Sequence, residues 1–312
     1  MILGADIGGT KTLLAASADG VPLLTRRYAN DDYAGFDALL GAFLGELRAT
    51  HREAVTHACL AVAGPVRADE ASLTNRVGWR FEAATLAGRH GFGRVSLVND
   101  FAAVAASLPG LRPEETVCLQ AGSLDSGGTR LALGPGTGLG VAALAGGQVI
   151  ASEGGHLAFA PWDEETLGLW RFLGGGTRRV IQEQVVSGRG ITACWRYLLG
   201  QETGRDEPGV TPAEVSTRAL EDGEPLARRA LALFARCYGA IAGDLALAFL
   251  ARGGVYLAGG ITPRVLPALQ DGGFLTAFNA KAEHSTLAAT LPVHAVLATD
   301  LGLRGALAIA AG

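Results

Sequence analysis

Three glycine-rich turns, each set directly behind a short apolar run, limit what this chain can fold into more than any other feature. They are Asp6-Ile7-Gly8-Gly9-Thr10, Gly134-Pro135-Gly136-Thr137-Gly138-Leu139-Gly140 and Ala258-Gly259-Gly260-Ile261-Thr262. A glycine at such a turn lets backbone N–H groups approach an anion with no Cβ in the way, and a neighbouring Thr hydroxyl adds a donor. One turn of this kind is ordinary hairpin chemistry. Three of them at equivalent points of a repeated pattern point to phosphate binding. No G-x-x-x-x-G-K-[ST] loop and no G-x-G-x-x-G fingerprint occurs, which argues against P-loop and dinucleotide-binding frames.

The repeated pattern is visible in the apolar periodicity. Ile2 to Gly8, Lys11 to Ser17 and Val21 to Tyr28 read as an antiparallel meander with tight turns. Phe36, Leu39, Leu40, Phe43, Leu44 and Leu47 then fall at helical spacing, and the apolar run His57 to Ala63 follows as a strand, which implies a parallel crossover. Val95 to Val98 is a further buried strand ending at Asn99-Asp100, and an alanine-rich helix after it stops near Pro109-Gly110. A second series begins with strands around Val117 to Gln120, Leu131 to Gly134, Val141 to Ala145 and Val149 to Ser152. Helices dominate from about Asp163 to Ala251, with the polar stretch Gln201 to Pro212 as the expected mobile loop. A strand at Val255 to Ala258 and a closing strand and helix from Val293 to Ala310 complete the series. The 312 residues, about half of them apolar, suffice for two α/β domains with a boundary near residue 110.

Composition removes several classes of function. The net charge is −4, and the basic residues form no dense cluster beyond pairs such as Arg178-Arg179 and Arg228-Arg229, so no nucleic-acid partner is expected. Cys59, Cys118, Cys194 and Cys237 are far apart and form no C-x-x-C pair, which reads as free thiols in a reducing cytoplasm. Neither a signal peptide nor a membrane span is expected, because the richest apolar stretch is broken by Arg236, Asp244 and Arg252.

The polar residues suited to chemistry lie near these turns. Asp100 stands at the carboxyl end of a buried strand, where parallel α/β sheets open toward ligands, and fits a base that accepts a hydroxyl proton; its alternative is a helix cap. Asp6 could hold Mg²⁺ directly or through water. Glu153-Gly154-Gly155-His156 and Glu183 supply further polar heads, the first pair on a turn too glycine-rich to pack as core. A half metal site at Glu153 and His156 is the competing reading, disfavoured by the lack of further suitably spaced His or Cys.

Asp6-Ile7-Gly8-Gly9-Thr10, Leu97-Val98-Asn99-Asp100-Phe101, Gly136-Thr137-Gly138-Leu139-Gly140, Glu153-Gly154-Gly155-His156, Glu183 before Ser187-Gly188, and Leu257-Ala258-Gly259-Gly260-Ile261 together resemble the bacterial glucokinases in order and near spacing. The resemblance runs from the first strand to the last helix. It implies the actin-like ATPase (ribonuclease H-like) α/β fold, with two domains flanking a cleft: residues 1–110 plus 299–312, and residues 111–298. It implies an ATP-dependent kinase that phosphorylates the 6-hydroxyl of glucose, with Mg²⁺, in the cytoplasm, as a homodimer. By the same resemblance Asp100 is the catalytic base, and Asn99 and Asp100 hold the 3-, 4- and 6-hydroxyls. Glu153 takes the 2- and 3-hydroxyls, and His156 with Glu183 the anomeric end. Gly8, Gly9, Thr10, Gly136, Thr137, Gly138, Gly259 and Gly260 bind ATP, and Asp6 serves the metal. Kinases for mannose or N-acetylglucosamine, and a non-catalytic sugar-sensing regulator, are the alternatives. The chain departs from the family pattern at Lys11, usually Asn, at Arg189, usually Pro, and in the segment Thr74 to Trp79, which is one residue longer.

Overall fold

The computed structural model describes every residue except Asn75 and Val77. It divides into two compact units, Met1–Leu111 with Asp300–Gly312, and Arg112–Thr299. Asn75, part of the lengthened segment, lies outside the described residues.

The first unit is built on strands β1 (Ile2–Ile7), β2 (Lys11–Ala18) and β3 (Val21–Ala29), helix α1 (Phe36–Thr50) and strand β4 (His57–Val62). Three short strands follow, β5 (Val66–Arg67), β6 (Glu70–Ser72) and β7 (Arg80–Glu82), then α2 (Ala83–His90), β8 (Arg94–Asn99) and α3 (Asp100–Ser107). The main sheet runs β3-β2-β1-β4-β8, antiparallel in the meander and parallel across β1, β4 and β8. The β2–β3 turn puts Asp19 and Gly20 at φ of 48° and 78°, the two left-handed positions that a two-residue hairpin matching strand twist requires. The apolar stripe of α1 is buried as its spacing predicts, each side chain contributing about 1.5–3 kcal/mol. The antiparallel β5-β6-β7 sheet was not legible in the sequence, because strands of two or three residues carry no periodicity.

Two features of this unit position chemistry. Ile7, Val62 and Asn99 are in register, so the parallel strands end together at one sheet edge. The C-terminal helix, Leu301–Ala311, packs against that sheet and α3 so tightly that a Cβ on Gly305 would lie 1.7 Å from the Ala103 carbonyl oxygen.

The second unit contains β9 (Thr116–Gln120), β10 (Arg130–Pro135), β11 (Leu139–Ala145) and β12 (Gln148–Ser152), followed by α4 (Glu164–Phe172), α5 (Gln182–Val185), α6 (Gly188–Thr203), α7 (Pro212–Leu220) and α8 (Pro225–Ala248). It closes with β13 (Val255–Leu257), α9 (Leu266–Gln270), α10 (Gly273–Asn279), α11 (Ser285–Thr290) and β14 (Val293–Val296). The sheet order is β12-β11-β10-β13-β14-β9. The meander here is β10–β12, with β13 and β14 parallel to β10, which repeats the first unit. The strand at Val117–Gln120, expected to open this series, instead pairs antiparallel with β14 at the far edge, so it stands outside the repeat.

Helix α8 is long and apolar enough to cross a membrane, but it forms the core of the second unit, with Phe234 and Tyr238 fully buried. The stretch Gln201 to Pro212 is more anchored than its polarity suggested. Its first residues belong to α6, Arg196 holds Asp206 at 2.7 Å, and Glu207 accepts from Trp195 and Arg218.

Candidate active site

In the first unit the site grows from the shared strand ends. Asp6 is the penultimate residue of β1, and Asp100 follows the last residue of β8. Asn99, not Asp100, is the cap of α3: its side-chain oxygen accepts the Phe101 N–H at 2.9 Å. Asp100 becomes the first helical residue; one carboxylate oxygen also accepts the Phe101 N–H at 2.9 Å. Among the described residues, neither Asp6 nor Asp100 has a salt-bridge partner, and the Asp6 carboxylate has no hydrogen bond. Burial pushes both carboxyls from an ordinary 3.8 up to about 6; the Asp6 charge adds to the effect on Asp100, and Lys11 opposes it on Asp6. The C-terminal helix comes so close that a Cβ on Gly302 would lie 2.8 Å from the Asp6 carboxylate. A carboxylate with neither a hydrogen bond nor a salt bridge is a hard oxygen donor of the kind Mg²⁺ prefers, so Asp6 fits that ion.

The first glycine turn is held from behind. Asn30, fully buried, donates from its amide to the Gly8 carbonyl at 2.8 Å and accepts from the Thr12 hydroxyl at 2.8 Å. Arg76 donates to the carbonyls of Gly9 and Asn30 and to Asp31, and its guanidinium lies over the Trp79 ring. Neither brace is legible in the sequence, since a lone Asn or Arg carries no pattern.

In the second unit the other two turns pack backbone to backbone. A Cβ on Gly134 would lie 2.3 Å from the Ala258 carbonyl oxygen, and Gly259 sits at φ 82° with its absent Cβ 2.7 Å from the Pro135 carbonyl oxygen. Only glycine permits that approach. Thr262, fully buried, donates to the Ala258 carbonyl at 2.6 Å and so stiffens the third turn. Among the described residues the N–H groups of Gly9, Thr10, Thr137, Gly138, Gly259 and Gly260 have no acceptor, which leaves two free donors on each turn. A cavity of about 310 Å³ beside the third turn is lined by Ile191, Pro212, Ile261 and Val265, with Glu221 and Arg264 at hand for polar contacts.

The remaining candidates gather on the second turn. Gly155 packs where a Cβ would lie 2.2 Å from the Leu139 carbonyl oxygen, which holds Glu153 and His156 beside the start of β11. Glu153 and His156 are both exposed, 3.5 Å apart. The Glu183 carboxylate accepts the Leu139 N–H at 3.1 Å and the Arg189 guanidinium at 2.7 Å. Among the described residues no group of three His, Cys, Asp or Glu could hold a metal, so Glu153 and His156 are not half of such a cluster.

Two α/β units of matching topology, glycine turns with free amides, and a carboxylate at a parallel strand end define the actin-like class of sugar-phosphorylating enzymes. The solved structure of a glucokinase from an Antarctic psychrotroph shares this fold with a TM-score of 0.88 at 31% identity, over 99% of this chain and 98% of that one. A second neighbour, a ROK family glucokinase from Streptomyces griseus solved with glucose and AMPPNP, matches with a TM-score of 0.66 at 23% identity over 99% of each chain. The glucokinase family model matches residues 3–312, and the chain belongs to that family. Its activity is that of an ATP-dependent hexose kinase, a glucokinase. A glucokinase of Sinorhizobium fredii is 38% identical over 99% of this chain and 91% of its own length.

Proposed function

We propose that Asp100 is the base of the glucokinase reaction. Its carboxylate accepts the proton of the glucose 6-hydroxyl as that oxygen attacks the γ-phosphorus of ATP and the bond to the β,γ-bridging oxygen breaks, giving glucose 6-phosphate and ADP. The observation that carries this reading is that Asn99 takes over the capping of α3 and leaves Asp100 without a counter-ion and held at about 6. A base poised near the working pH combines the ionised form with useful proton affinity.

Asn99 and Asp100 hold the 3-, 4- and 6-hydroxyls, Glu153 the 2- and 3-hydroxyls, and His156 with Glu183 the anomeric end, which gives each hydroxyl a partner. The free amides of Gly9, Thr10, Thr137, Gly138, Gly259 and Gly260 take the phosphates, with Gly8 and Gly136 keeping the approach open. The apolar cavity beside Ile261 suits the adenine ring. Asp6 holds Mg²⁺ directly or through water. When bound, Mg²⁺ neutralises charge on the phosphates. The enzyme works in the cytoplasm, where ATP and a reducing milieu suit its buried thiols Cys59, Cys194 and Cys237, and it assembles as a homodimer, which sedimentation of a monomer would refute.

Asp100→Asn keeps the size and the hydrogen-bond acceptor but cannot take a proton. A coupled ADP-release assay over a panel of hexoses should show glucose preferred by the parent enzyme. The variant should lose roughly 10²-fold or more in kcat while retaining glucose binding. Retention of more than half of the parent kcat would remove Asp100 from the mechanism.

A further inference from the structure

The Arg189 side chain, carried on the first turn of α6, is engaged with Glu183. We propose that Arg189 is a positioning residue for the nucleotide: it holds the Glu183 carboxylate on the second glycine turn and cancels its charge there, so that the turn can receive the ATP phosphates. This rests on the reading of Gly136–Gly138 as a phosphate site.

Glu183 is tied to that turn at close range. One carboxylate oxygen accepts the Leu139 N–H at 3.1 Å, and the same oxygen occupies the place of a side chain at Gly138, 2.3 Å from where a Cβ would stand. The adjoining amides, Thr137 and Gly138, are two of the free donors of the site. A carboxylate left uncompensated at this position would present negative charge to an incoming triphosphate. Arg189 meets it at 2.7 Å through the other oxygen. The first turn of α6, which carries Arg189, is itself bonded to the glycine turn by the Gly188 N–H on the Gly136 carbonyl at 2.9 Å. Glu183 is 17% exposed and Arg189 67% exposed. The carboxylate is therefore held within the fold while its counter-charge is open to solvent and sensitive to salt.

The test is MgATP affinity by calorimetry on the full-length protein, without glucose, at low and at high salt. Arg189→Ala should weaken binding about fivefold at low salt, the modest scale of a solvent-exposed charge, and the defect should shrink as salt screens Glu183. Arg189→Lys should keep most of the affinity. The double variant Arg189→Ala with Glu183→Gln should return to within about twofold of the parent, because an amide oxygen still accepts the Leu139 N–H and brings no charge. A merely structural role for Arg189 predicts no such rescue. A double variant as weak as the single one, or an Arg189→Ala protein that binds as the parent does while Gly136→Val loses ATP, overturns the inference. Unchanged ATP binding by Gly136→Val, a position with open space around its missing Cβ, would instead refute the phosphate reading of the turn.

Discussion

Asp6→Asn should make the apoprotein more stable while crippling the enzyme. The charged Asp6 carboxylate is held in a site that raises its pKa from 3.8 to about 6 even with Lys11 nearby. That displacement corresponds to about 3 kcal/mol spent keeping the group ionised in the folded state. The folded carboxyl binds its proton more tightly than the unfolded one, so acidification from about pH 6 toward about pH 4 stabilises the fold, and above about pH 6 the whole cost is present. An amide of the same shape carries no such cost. Relative to the parent, Asp6→Asn should therefore gain up to about 3 kcal/mol at pH 7.5, falling to about half of that at pH 5, where the parent carboxyl is largely protonated. Urea unfolding in EDTA without nucleotide measures the gain, and hydrogen exchange of β1 and β4 peptides assigns it to the first unit. MgATP should reverse the order, because the parent alone keeps the carboxylate proposed to hold the metal. A variant no more stable than the parent at pH 7.5, or equally advantaged at both pH values, would refute the account of Asp6 as a strained, cation-seeking carboxylate.

Because Asp100 must be ionised to take a proton, kcat/KM for glucose should fall on the acid side with a midpoint near pH 6; Asp6→Asn should move that midpoint lower by removing a neighbouring negative charge. A parent midpoint near pH 4 would show that Asp100 is not a desolvated base. Gly305→Ala should destabilise the first unit by about 3 kcal/mol, the upper end of the usual overpacking range, since its Cβ would meet the backbone oxygen of Ala103 at 1.7 Å; a melting temperature within a degree of the parent would contradict the packing.

Much of this arrangement could be read in the sequence because it depends on periodicity and on glycine. The α1 stripe, the two meanders and the three turns each write a local signature, and the turns are glycine-rich for reasons that the backbone contacts of Gly134 and Gly259 make concrete. What could not be read depends on partners distant in the chain. Asn30 reaches Gly8, Glu183 reaches Leu139, and Gly302 lies against Asp6, each a single residue whose role appears only when its neighbour is known. Arg189 shows the limit from the other side. Its side chain meets Glu183, six residues back in the chain, only because the first turn of α6 carries it there, and no spacing in the sequence specifies that ion pair. The edge position of β9 was equally invisible, because strand order is not encoded in the alternation of one strand.

The C-terminal helix also sets a timetable. Residues 300–312 complete the first unit, yet a ribosome reaches them only after making all of the second unit. At roughly 5–20 residues per second, the nascent first unit waits on the order of 10–40 s with Gly4, Asp6 and Ala103 lacking the helix that covers them. For that interval the surfaces of β1 and α3 that the helix covers are open, and transiently exposed apolar surface of this kind is prone to aggregate. A chain terminated a dozen residues early would carry every glycine turn and every candidate sugar ligand, and still never finish the wall behind Asp6.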